Sequence, residues 1–138
     1  MIAAGRKYKS GTGWCFWRWT EVETEYITRL HVLKTPWFAI CVHWLNHPDP
    51  DPYLHDHPVT FLSLILRGSY VEQRADGFSL RNRVNVIHAT EKHRIVAVDP
   101  KTVTLCFMGP KVQEWGFYTG IGRVHWKDYY KLKAEGRV

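Results

Sequence analysis

At 138 residues, with 19 Lys and Arg against 13 Asp and Glu and a net charge of +6, the chain has length for one substantial core and not for two. It lacks the run of about 18 apolar residues that a membrane helix needs, and its opening MIAAGRKYKSGTG has no apolar leader core, so a soluble cytoplasmic protein is expected. Cys15, Cys41 and Cys106 are odd in number and far apart, which argues against a disulfide framework or a cysteine zinc site and predicts buried, reduced thiols. The positive balance favours an anionic partner; without a continuous basic motif, nucleic acid is not expected.

The chain reads as strands nearly throughout. Residues 1–12 form a basic, Gly-containing arm. WCFWRWTEV, EYITRLHVL and WFAICVHWL then follow, each rich in aromatic and β-branched residues. NHPDPDP interrupts them with turn chemistry, since its prolines cannot join a sheet ladder. YLHDHPVTFLSLILRG predicts two short strands ending at Arg67-Gly68. SYVEQR and FSLRNRVNVIH predict a hairpin around Ala75-Asp76-Gly77, and HRIVAV with TVTLCFMG a second pair across Asp99-Pro100-Lys101. EWGFYTG reads as a last strand. Residues 126–138 carry the one predicted helix, WKDYYKLKAEG, with Gly136 as its stop. Short strands at this spacing predict an all-β sandwich or barrel in one domain over 1–138.

His55 and His57 are the first chemical signal. Residues i and i+2 of a strand share a face, so two imidazoles converge on one point while Asp56 turns away. Neutral imidazole suits divalent transition metals, and His93, opening HRIVAV, is the natural third ligand.

These residues resemble the first motif of the cupins, G-x5-H-x-H-x(3,4)-E-x6-G, with His55, His57 and Gly68 at the expected spacing and Phe61 in place of the glutamate. Of the second motif, G-x5-P-x-G-x2-H-x3-N, only His93 is present; Asn82, His88, Thr90 and Ala97 occupy its other marked positions. The chain is also similar to small cupin-like proteins of bacteriophage and bacterial genomes, which would place a phage-encoded copy in the host cytoplasm. The resemblance implies a double-stranded β-helix, or jelly roll, with a short C-terminal helix and one divalent metal. Ferrous iron is favoured, by likeness to three-histidine thiol-dioxygenase-like cupins, with Zn, Ni, Mn or Cu as alternatives.

With no carboxylate among the ligands, the metal's charge is uncompensated and attracts an anion, and open coordination positions suit catalysis. Strand alternation carries Phe61, Ser63 and Ile65 inward, with Arg67 at the end of the same face. Arg81 and Arg83 share a parity and are either further anion-binding groups or structural partners of Glu72. His43 and His88 are candidate pocket residues. Glu91 is read as a solvated loop charge. The implied function is an oxygenase-like enzyme, or less directly an isomerase or lyase, acting on a small anionic molecule. A non-catalytic barrel holding an anionic or nucleotide-like ligand, and an assembly protein with a vestigial site, are the alternatives. The many tryptophans and tyrosines would also suit a homodimer interface.

Overall fold

The computed structural model describes residues 15–21 and 27–138, the first segment and Ile27 as backbone only. The arm over 1–12 and the side chain of Cys15 lie outside the described residues. Twelve strands and one helix are present: β1 (Cys15–Glu21), β2 (Ile27–Lys34), β3 (Ala39–Leu45), β4 (Leu54–His55), β5 (Phe61–Arg67), β6 (Tyr70–Arg74), β7 (Gly77–Arg81), β8 (Val84–Ile87), β9 (His93–Val98), β10 (Thr102–Met108), β11 (Gly116–Thr119), β12 (Gly122–His125) and α1 (Trp126–Ala134). They form two antiparallel six-stranded sheets, ordered β1-β2-β3-β10-β5-β8 and β12-β11-β4-β9-β6-β7. After β5 the chain passes back and forth between the sheets, as in a jelly roll.

Two predicted hairpins resolve differently. Arg74 pairs with Gly77 across Ala75-Asp76, a two-residue hairpin as the Asp-Gly signal predicts. The second half of that prediction, FSLRNRVNVIH, is two strands, because the chain leaves the second sheet at Asn82-Arg83 and β8 joins β5 in the first. β9 and β10 do not pair at all. The turn at Asp99-Pro100-Lys101 is a corner that carries the chain from one sheet to the other, so β9 pairs with β4 and β6, and β10 with β3 and β5. β12 was not anticipated by the sequence reading.

Gly68 ends β5 with φ of 77°, a conformation favouring glycine. A Cβ there would also lie 2.8 Å from the Thr102 backbone Cα. Between the sheets, Leu45, Ile65 and Tyr70 pack with Ile95 and Val98. Cys41 and Cys106 are buried and reduced, as their spacing predicts.

The C-terminal helix closes one side. Tyr129 is 1% exposed, stacks on Phe117 with ring centroids 3.8 Å apart, and donates to Asp51 Oδ1 at 2.8 Å. Lys133 Nζ reaches the same carboxylate at 2.7 Å, pinning the helix to the proline-rich turn. Gly136, with φ of 69°, ends the helix as predicted. No helix among the described residues is long and apolar enough to cross a membrane.

Candidate metal centre and cavity

β4 is only two residues long because the prolines before and after it stop the ladder. Its last residue, His55, sits directly opposite His93, the first residue of β9. His57 follows outside the strand, held by its backbone N–H on Ala89 O at 3.0 Å. One ligand nitrogen from each of the three imidazoles lies within 4.8 Å of the others. His57 Nε2 is 2.6 Å from His93 Nε2.

Asp56 does turn away, but not to solvent. At 1% exposure it accepts from Gly116 N, from the Tyr118 hydroxyl at 2.9 Å and from Arg123 Nε at 2.8 Å. The residue between the two histidines is thus an anchor, fastening their loop to β11 and β12.

A carboxylate stands behind the cluster. Glu72 Oε1 accepts from His93 Nδ1 at 2.7 Å, which turns a lone pair on Nε2 toward His57. Glu72 is fully buried and also takes Arg81 Nε at 2.9 Å and Arg74 Nε at 3.1 Å. Burial alone would raise its pKa; His93 and Arg74 overcome this by hydrogen bond and charge and bring it down to about 2. Burial drops the His55 pKa to about 4, and burial with the neighbouring His93 and His55 holds His57 well below its usual 6.5. His55 and His57 held uncharged, beside His93 with a carboxylate at its back, make a donor set suited to a divalent ion, so the residues fit a metal.

In front of the cluster lies a cavity of about 400 Å³, walled by Leu45, Phe61, Ile87, Ile95 and Met108 among others. Phe61, at the position where the first motif has glutamate, meets His57 edge-on with ring centroids 4.8 Å apart. Phe61, Ser63 and His43 line this cavity. The other anticipated wall residues do not. A bulge between β5 and β10 sets Ile65 opposite Thr104 but Arg67 opposite Val103; this breaks the alternation and leaves Arg67 exposed. Arg81 is the structural partner of Glu72, Arg83 is exposed beyond β7, and His88 is exposed in the turn after β8. Glu91 pairs with Arg74 at 2.7 Å instead of reaching the histidines.

Two groups were missed as site residues: Arg29, which lines the cavity, and Glu72, which stands behind the histidines. Arg29 was recognisable as a charge within a strand, and Glu72 by its parity with Tyr70. Their inward direction depends on sheet register, which neither local pattern contains.

No family model matches the sequence, and no curated protein matches it significantly. Solved structures do match. An RmlC-like cupin from Shewanella frigidimarina aligns with a TM-score of 0.54 at 11% identity, over 70% of this chain and 86% of its own. KdgF from a Halomonas species aligns at 0.57 and 16% identity, over 71% and 96%. The chain has the cupin fold. A variant of Streptomyces PAC13, determined with uridine, aligns at 0.56 with 7% identity, over 83% and 92%, so the cupin barrel is retained across very different sequences.

Proposed function

We propose that the protein is a mononuclear metal-dependent cupin of one domain, acting on a small anionic molecule, with His55, His57 and His93 as the metal ligands. The observation that carries this reading is the convergence of three imidazoles, one nitrogen of each within 4.8 Å of the others, on a cavity in a barrel of this fold. A bound divalent ion would supply Lewis-acid polarisation of a substrate oxygen and, if it were iron, would relay electrons from substrate to oxygen in the oxygenase-like chemistry favoured here.

The chain's own residues prepare that site. Glu72 holds the proton on His93 Nδ1, so Nε2 presents its lone pair to the cluster. The 2.6 Å approach of His57 Nε2 to His93 Nε2 sets two of the ligand nitrogens side by side. Phe61 contributes no charge, so an anion meets no repulsion from the position a carboxylate commonly holds. The apolar walls exclude water from the reacting groups.

A second reading, a non-catalytic barrel that retains an anionic or nucleotide-like ligand, draws on the aromatic lining of Phe61, Tyr70, Trp115 and Tyr130 and on the uridine in the Streptomyces structure. Metal analysis of His57→Ala and His93→Ala, beside the parent protein, tests the site. Metal content should collapse in both variants while the circular dichroism spectrum persists. Parent-like metal in both would remove the three-histidine centre. Oxygen uptake with small carboxylic or thiol-containing acids then separates turnover from retention.

A further inference from the structure

The cavity wall built by β2, β3 and β10 carries a charge that no carboxylate among the described residues pairs with. Register places Arg29 on β2 opposite His43 on β3, and His43 opposite Thr104 on β10, so the three side chains share the inward face of the first sheet. All three line the cavity. Arg29 Nε is buried without a hydrogen-bond partner, and so is Nε2 of His43, a residue only 6% exposed. Among the described residues, Arg74, Arg81 and Arg123 each meet a carboxylate. Arg29 meets none. A guanidinium cannot shed its proton to escape this, and burying even part of an uncompensated cation is costly; Arg29 as a whole is half-buried.

His43 is built to assist. Burial, reinforced by the charge of Arg29, keeps its imidazole neutral. Its Nδ1 lies 3.3 Å from Cys106 Sγ, closer than the 3.6 Å from that sulfur to Ser63 Oγ. Burial pushes the Cys106 thiol up, so it keeps its proton and can donate it to Nδ1. The imidazole proton then resides on Nε2, a buried donor without a partner on a residue that lines the cavity beside Arg29.

We propose that Arg29 and His43 form a carboxylate-binding subsite, and that the substrate is a small monocarboxylate with an apolar body whose remaining polar group faces the three histidines. One guanidinium balances one negative charge, and Leu45, Ile87, Ile95 and Met108 supply the apolar wall between. The assignment rests on reading the cavity as the substrate chamber, and its test does not require a metal.

The probe is benzoate, with benzamide as its neutral counterpart, titrated calorimetrically into chelator-treated protein. Benzoate should bind at least about tenfold tighter than benzamide, and Arg29→Met should weaken it by roughly ten- to hundredfold, the effect of one charge-assisted hydrogen bond. Arg29→Lys should fall between, keeping charge and losing the planar fork. Ligand-free Arg29→Met should melt at or above the parent temperature, because it removes a half-buried charge that no carboxylate among the described residues pairs with. Because the benzoate titration is made on metal-free parent protein and metal content is read separately on the histidine variants, failure of the metal reading is distinguishable from failure of this one. Benzoate binding no tighter than benzamide, including no binding of either, overturns the subsite. So does parent-like benzoate affinity in Arg29→Met, or unfolding of both Arg29 variants, since Arg29 would then be a structural group.

Discussion

Glu72 shows how much one buried side chain is asked to do. It fixes the tautomer of His93, and it neutralises Arg74 and Arg81 at the edge of the same sheet. Glu72→Gln keeps the shape and removes the charge, so both duties should weaken together. Metal affinity should drop by roughly ten- to hundredfold, as for other outer partners of ligating histidines. Stability should drop by about 3 kcal/mol, because two arginines lose their buried counter-charge. Metal titration and urea unfolding on the one variant read the two effects separately. Phe61 is the complementary case. Since its ring already lies against His57, Phe61→Glu should bring a fourth ligand to the metal, tightening divalent binding by on the order of tenfold, about 1.4 kcal/mol. The same charge should weaken benzoate binding, and unchanged values of both would mean that the new carboxylate points elsewhere.

Among the elements, the corner from β5 into β6 is the least tolerant of change. Gly68 combines a positive φ with close approach to Thr102, whose hydroxyl donates to the Asp99 carbonyl at 2.7 Å and so ties this corner to the next one. Gly68→Ala should cost about 2–4 kcal/mol, from left-handed strain and overpacking together, seen as a lowered urea midpoint. Gly68, His55 and His57 were legible in the sequence because their spacing is local to one turn. The pairing of β9 and β10 was not, because Asp-Pro-Lys closes a hairpin and turns a corner with the same chemistry. Arg67 was misplaced for a related reason: one bulged residue in β5 reverses the faces, and nothing in LSLILRG marks it. Hydropathy also misleads across this barrel. Ser63, Asn85 and Thr104 are buried while Leu62, Leu66, Val84 and Val86 are exposed, so polarity and direction run opposite to the usual alternation around the cavity.

For the molecule as a whole, the buried histidines set the response to acid. His43, His55 and His57 all have pKa values depressed in the folded state, His55 to about 4, against an ordinary 6.5. Below pH 6.5 the unfolded chain takes up protons that the folded chain refuses, so stability falls as pH falls, by up to about 1.4 kcal/mol per pH unit for each histidine. Glu72 extends the loss. Its pKa is lowered to about 2, so its contribution is complete above the ordinary value of 4.5 and drains away between 4.5 and 2. Urea midpoints of metal-free protein should therefore decline steadily from pH 7 to pH 5, and a flat profile would mean that these imidazoles titrate as free ones do. The Asp56 anchor bears on how such a centre comes into being. Synthesis runs from the N-terminus, and the two histidines flanking Asp56 emerge well before Gly116, Tyr118 and Arg123, the groups that hold their loop in place. A ribosome-bound chain therefore exposes both histidines without the clamp that aligns them, so under the proposed function metal capture would follow the release of the segment through Arg123 from the ribosome.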